Sequence, residues 1–270
     1  MSWWAILLKS LMTYSSLNLQ ARSNGAASEP APEGRTMAEP GLVINDGALE
    51  AIKWLAAALM LGDHINKYLL GSQMPALYAA GRLAFPLFAF VFAANLARPG
   101  VLSRGVYQRT IKRLVLFSMI ANVPYIALGS LLFGWYPLNI LFSFSAAAII
   151  IQLVERGGAR SFAAAPLLFL VGGLLVEYWW AGIAMTLTAW YYVRCHSVFA
   201  LVAWITATAA VGVLPWLIAH VPMNLNVWSL ASFPVIAIAL SLRLPRLRWF
   251  FYVFYPAHLA VIWLVRIVVQ

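Results

Sequence analysis

Charge is scarce in this chain. Only 10% of its 270 residues are Asp, Glu, Lys or Arg, and the acidic ones number eight; an ordinary soluble domain is about 25% charged. So few carboxylates exclude the oxygen-lined cation sites, which draw on roughly six to eight ligands. One cysteine, Cys195, excludes an internal disulfide and any cysteine-built zinc or iron–sulfur centre. A Gly-x-Ser-x-Gly elbow, a His-Glu-x-x-His helix, a Walker loop and a dinucleotide fingerprint are also missing, which sets aside the hydrolases, zinc proteases, nucleotide triphosphatases and dehydrogenases built on them. No metal is expected.

What fills the sequence is apolar: 63% hydrophobic residues and a mean hydropathy of +0.84. The expected fold is all-α, a polytopic membrane helix bundle. Crossing a ~30 Å hydrocarbon core takes about 20 helical residues, and apolar runs place about nine helices, with a range of seven to ten. They are Ala48–Leu70, Leu77–Leu96, Thr110–Phe133, Leu138–Leu153, Phe162–Val176, Trp179–Val193, Val198–Ala219, Val227–Leu242 and Phe250–Val269. The fourth, fifth, sixth and eighth are short for a full crossing. Cationic residues gather in cytoplasmic loops, and the loop with Arg98, Arg104, Arg109, Lys112 and Arg113 is therefore placed inside. The amino terminus is then cytoplasmic, and of the 18 cationic residues only Lys67, Arg82 and Arg266 fall on the outer half. The net charge of +10 thus reads as orientation against an anionic leaflet, with membrane lipids and not nucleic acid as partners.

Residues 1–40 differ from the rest. Trp3–Leu8 is a short apolar stretch, and Asn18–Pro40 has the Ser, Ala, Glu, Pro and Gly composition of disorder. Either this is an interfacial anchor, or the natural start is Met37 and Met1 to Thr36 lie upstream of it. Residues 41–270 form the integral membrane domain.

Ionisable residues at membrane depth are costly and therefore functional candidates. The first helix holds the densest set, Lys53 and then Asp63, His64, Asn66 and Lys67. Eleven residues return to within about 20° of the starting azimuth, so Lys53 and His64 share a face with a rise of roughly 16 Å between them. Lys67 lies one turn beyond Asp63 and can pair with it. Arg82 opens the second helix and can pair with Asp63 or bind an anion, while Pro86 loosens the helix nearby. Asn122, Pro124 and Tyr125 read as a break in the third helix, and Asn95 and Asn139 as caps or as site residues. Glu177 and Tyr178 fall at an outer turn, where a solvated carboxylate is the default. Tyr255 and His258 sit in Phe-Tyr-Pro-Ala-His early in the last helix. The plain alternative for every one of these is packing glue between helices.

The order of these motifs is similar to that of a known family. Lys53-x10-His64 fits the Arg/Lys-x10-His pattern of acyltransferase-3-type membrane enzymes. Leu61-Gly-Asp-His64, Arg82-Leu-Ala-Phe-Pro-Leu-Phe-Ala-Phe90, Arg113-Leu with Asn122-Val-Pro-Tyr125, Leu138-Asn-Ile-Leu-Phe142 and Phe254-Tyr-Pro-Ala-His258 together resemble the TraX family, TrbP-like members above all, over nearly all the chain after its extension. The resemblance implies an enzyme of the bacterial inner membrane, an acetyltransferase linked to conjugation, with acetyl-CoA as donor and the amino terminus of a plasmid-encoded pilin subunit as acceptor. It places His64 at the catalytic position with Asp63 and Arg82, makes Tyr255 and His258 part of a terminal motif, and keeps Lys67, Asn122, Tyr125 and Asn139 as further candidates. Lys53, Lys112 and Arg113 form a basic rim suited to the phosphates of CoA. Two other readings stand: a glycan or lipid O-acyltransferase, or a non-catalytic transporter or pilus-assembly factor.

Overall fold

The computed structural model describes residues 44–129, 134–219, 227–245, 247 and 249–269. The extension at 1–40, with Met37 and both readings of it, lies outside the described residues, as do His220, Arg246 and Arg248. Ten α-helices follow one another: α1 Asp46–Tyr68, α2 Pro75–Gly81, α3 Ala84–Leu96, α4 Val106–Ala127, α5 Ile140–Arg156, α6 Ala159–Leu175, α7 Trp179–Cys195, α8 Val198–Ala219, α9 Ser232–Ala239 and α10 Phe250–Val269. A 3₁₀ turn, Val227–Ala231, precedes α9. Among the described residues there is no strand, only one bridge between Leu138 and Val176. The chain is all-α.

Local chemistry sets the helix ends. The Asn45 side chain accepts from the Gly47 N–H at 2.8 Å and starts α1, whose first turn holds Asp46 and whose last holds Lys67, the signs the helix dipole favours. The expected second helix, Leu77–Leu96, is two helices, broken at Arg82 and Leu83. Pro86 has no N–H, so the carbonyl of Arg82 four residues back has no helical partner, and Pro86 fits in the first turn of α3, where that donor is orphaned anyway. The expected break at Asn122–Tyr125 does not occur. Helix α4 carries Pro124 inside it to Ala127, since a proline this close to the end costs only one terminal bond.

Helix α3 is the axis of the fold. Ten of its thirteen residues are buried, and α1, α5, α7 and α9 pack around it. The outer helices are turned inside out relative to those of a water-soluble domain. Leu116, Met119, Ile120 and Val123 of α4, Leu167, Leu170, Val171 and Leu174 of α6, and Val261, Leu264, Val265 and Val268 of α10 are all exposed. Each set has the i, i+3, i+4, i+7 spacing of one helix face. Apolar stripes of this kind on three helices need an apolar neighbour, as a bilayer provides. By length and composition, Pro75–Leu96 and Phe250–Val269 are sufficient to cross one. Among the described residues these two helices meet that test, not nine; α5, α6 and α7 are 17 residues each, at the short end of the spanning range of about 17–25.

Alternate connections gather at opposite ends. Arg194 at the end of α7 donates to the Ala97 carbonyl at 3.0 Å and to Glu155 at 2.7 Å, Arg98 pairs with Asp46, and the Leu247 N–H donates to Glu50 at 3.1 Å. At the far end the Leu138 N–H donates to Leu175 and the Glu177 N–H to Leu138, at 2.8 and 2.9 Å.

Candidate functional site

The corner between α1 and α2 is built around Asp63, which is buried and forms an ion pair with Arg82. Gly81 makes this approach possible, because a Cβ placed there would lie 2.3 Å from the Asp63 Cβ. The α1–α2 connection is clamped by Asn66, which donates from Nδ2 to the Met74 carbonyl at 3.1 Å and accepts from the Met74 N–H at 2.9 Å. Arg82 also lies 4.6 Å above the Tyr78 ring. Asp63 therefore serves Arg82, and Lys67 donates instead to the Tyr68 hydroxyl at 3.2 Å.

His64, the next residue on α1, meets His258 of α10. His64 Nδ1 lies 2.8 Å from His258 Nε2, and His258 Nδ1 lies 2.8 Å from the Phe254 carbonyl. A carbonyl only accepts, so His258 carries its proton on Nδ1 and, when neutral, offers the lone pair of Nε2. That lone pair accepts from the His64 Nδ1–H, which leaves the neutral His64 ring with its own lone pair on Nε2. The pair thus has a direction. His258 is 6% exposed and stands behind His64, which lines a cavity.

This cavity, about 590 Å³, is walled by α1, α3, α4, α5, α10 and the α6–α7 turn, and its size suits a small ligand. At one end stand Lys53, Arg98, Arg104, Arg109 and Arg113, with Asp46 and Glu50. Asp63, His64, Glu177, Tyr178 and Tyr255 line it as well, so the single face of α1 that carries Lys53 and His64 runs along its length. Lys53 is paired with Glu50 at 2.5 Å and lies 4.7 Å over the Phe251 ring, while Arg113 lies 4.3 Å over the Trp249 ring. Lys112, one residue from Arg113, is not on the wall.

Glu177 was expected to be solvated at an open turn. It is instead half-buried on the cavity wall, because the Leu138–Val176 bridge and the Glu177–Leu138 bond draw the turn inward. Burial pushes the Glu177 carboxyl up to about 7 against the opposing pull of Lys67, Arg82 and the Ile140 backbone. Tyr178 and Trp179 hold left-handed backbones, φ 62° and 47°, each costing about 1–2 kcal/mol in a residue with a Cβ. Tyr178 stacks on Phe85 at 4.6 Å and the Trp179 indole donates to the Tyr136 hydroxyl at 3.0 Å, which holds the turn in place. The sequence held one sign of this, an acid between Leu-Leu-Val and Tyr-Trp-Trp with no Gly, Pro or Asn to make an open loop.

Of the other candidates, Asn122, Asn139 and Tyr125 are not on the cavity wall. Asn139 is the cap of α5, accepting from the Leu141 N–H at 3.2 Å and donating at 2.9 Å to both the Ser118 carbonyl and Asn122 Oδ1. Tyr125 is buried in α4 with its hydroxyl unpartnered. Asn95 lines the cavity and donates to Val91 at 2.8 Å.

The family model for the TraX protein matches residues 48–266, a span that includes both histidines, Arg82 and Glu177. The chain belongs to the TraX family. It is 33% identical to Protein TraX of Escherichia coli over 237 residues, which is 82% of this chain and 88% of that relative. To Protein TraX of Escherichia coli strain K12 it is 37% identical over 146 residues, 53% of this chain and 56% of that protein. No solved structure matches, so the geometry of this family member is read from its own residues.

Proposed function

We propose that this TraX-family chain is a multi-pass enzyme of the bacterial inner membrane, its amino terminus cytoplasmic, that moves an acetyl group from acetyl-CoA to the amino terminus of a conjugative pilin subunit. The observation that carries the reading is the directed His64–His258 pair at the wall of a cavity whose other end is basic. His64 Nε2 is the general base, taking a proton from the attacking nitrogen as it adds to the thioester carbonyl; a positioned base of this kind contributes about 10²–10⁴-fold. His258 fixes the tautomer that makes it one. Lys53, Arg98, Arg104, Arg109 and Arg113 supply cations to the CoA phosphates, and the acyl arm extends between aromatic walls toward His64. Arg82 holds Asp63, so its part is to position the α1–α2 corner beside the base.

The test is covalent. The chain is expressed beside its cognate prepilin in a host without other conjugation genes, and the intact mass of the mature pilin is taken. Wild type adds the mass of one acetyl group, and His64→Ala adds none. No increment with wild type in the membrane and the pilin processed would refute acetyl transfer to pilin and favour a transport or assembly role.

A further inference from the structure

The described chain has five acidic residues. Four of them are committed to ion pairs, Asp46 with Arg98, Glu50 with Lys53, Asp63 with Arg82 and Glu155 with Arg194. The fifth, Glu177, has no ion pair, and it lines the same cavity as His64. Its turn is held there in a strained backbone at Tyr178 and Trp179, and strain of this sort persists only where the surroundings enforce it. Lys67 and Arg82 pull on the Glu177 charge, but no salt bridge holds it, and a half-buried carboxylate whose charge is not directly paired is costly, so the position can take a cationic group of a ligand.

Taking the proposed acetyl transfer as its basis, we infer that Glu177 is a second catalytic base, which receives the acceptor's ammonium and removes the proton that must leave before the nitrogen can attack, so that His64 handles only the second proton. In sequence, an N–H bond of the ammonium breaks and an O–H bond forms on Glu177, giving a neutral amine. The amine nitrogen bonds to the thioester carbon, and His64 Nε2 takes its second proton. The C–S bond then breaks, the thiolate leaves with the proton from His64, and the Glu177 proton passes to water. One ammonium and one thioester become one amide, one thiol and one released proton.

The groups facing Glu177 suit this division. Lys67 and Asp63 come from α1, Arg82 from the α2–α3 break, Tyr68 from α1, Tyr125 from α4 and Tyr255 from α10. With Arg82 paired to Asp63, and with Lys67 and Arg82 pulling on the Glu177 charge, an arriving ammonium would find in Glu177 the described carboxylate that no salt bridge holds. The Glu177 backbone is held by the Ser143 hydroxyl, which donates to its carbonyl at 2.9 Å, and by its own N–H to the Leu138 carbonyl at 2.9 Å, bonds that a glutamine would keep.

The experiment co-reconstitutes the full chain with its mature pilin in proteoliposomes, supplies acetyl-CoA, and follows transfer from pH 6 to 9 for wild type, Glu177→Gln, Glu177→Asp and His64→Ala. An α-amino group with a pKa of about 7.7–8.0 is only about one-tenth neutral at pH 7. Glu177→Gln should therefore lose about tenfold at pH 7, recover to within about twofold at pH 9, and show its acid limb about one unit higher. Glu177→Asp should keep the limb of wild type, and it serves also where the Gln variant fails to accumulate. A Gln profile equal to wild type, a loss equal at every pH, or an Asp profile shifted like the Gln prediction would each overturn the role of Glu177 while leaving acetyl transfer standing. No transfer by wild type would instead overturn the acetyltransferase reading, and this role with it.

Discussion

Gly81→Ala tests the corner on which the site is built. The added Cβ would stand 2.3 Å from the Asp63 Cβ, 2.6 Å from its Cγ and 2.8 Å from its Oδ1. Carbon atoms rest at about 3.5–4.0 Å, so α1 and α2 must part by roughly 1.2–1.7 Å here. Neither has freedom to do so. Asp63 is held by Arg82, and both polar groups of the Asn66 side chain are bonded to Met74 across the connection. Overpacking costs about 1–3 kcal/mol, and loosening a buried ion pair adds to that, up to about 3–5 kcal/mol if it breaks; a loss of about 2–4 kcal/mol is expected. At roughly 2–4 °C per kcal/mol for a chain of this size, the melting temperature should fall by about 4–16 °C. The assay is the thermal shift of intrinsic fluorescence in detergent, for which the 12 tryptophans give ample signal. Gly172→Ala is the internal control. Its Cβ would meet nothing nearer than 3.7 Å, and alanine favours a helix over glycine by about 1 kcal/mol, so its melt should match or exceed wild type. A Gly81→Ala melt that superimposes on wild type would refute the close approach and the corner with it.

Further substitutions separate the parts of the site. His258→Ala removes the acceptor of the His64 Nδ1–H without altering the cavity wall, and acetyl transfer should fall by about 10²–10⁴-fold with the KM for acetyl-CoA unchanged; steady-state kinetics decides. Arg113→Ala should raise that KM by about 10-fold or more, the worth of a charged hydrogen bond of about 1.5–3 kcal/mol, whereas Lys112→Ala should change it less than about twofold, since only Arg113 is on the wall. Asn139→Ala removes a helix cap and the donor to the half-buried Asn122 Oδ1, with an expected cost of about 1–2 kcal/mol in thermal melts. The Glu177 carboxyl, raised to about 7 from 4.5, binds its proton more tightly folded than unfolded, so it lowers stability as pH rises from about 4.5 through 7. Glu177→Gln should therefore melt above wild type at pH 8, by up to about 3 kcal/mol, and level with it at pH 4.5; equal melts at both would exclude that burial cost.

How much of this was legible in the sequence depends on how far apart the cooperating residues lie along the chain. Lys53 and His64 share α1, so the helical repeat alone puts them on one face. The apolar runs likewise mark the helices, although α5, α6 and α7 at 17 residues each show that run length does not settle how many could cross a bilayer. Asp63 and Arg82 were readable as partners by charge, but Gly81, which permits their approach, carries no chemical signal. The His64–His258 bond spans 194 positions and follows from the packing of α10 against α1, which no local pattern encodes.

Glu177 shows most clearly where local reading fails. A carboxylate in a turn is by default hydrated, since water is the cheapest partner for a charge. What reverses the default is a pair of backbone hydrogen bonds to Leu138, nearly forty residues back along the chain, together with aromatic stacking onto Phe85 from α3. Those contacts carry the turn into the cavity, and with it the one described acid held in no salt bridge. The distinction between a structural acid and a chemical one thus lies in the partners left over after packing. Among the described residues the packing has placed four acids in salt bridges and left the fifth, under the pull of Lys67 and Arg82, facing the same space as His64.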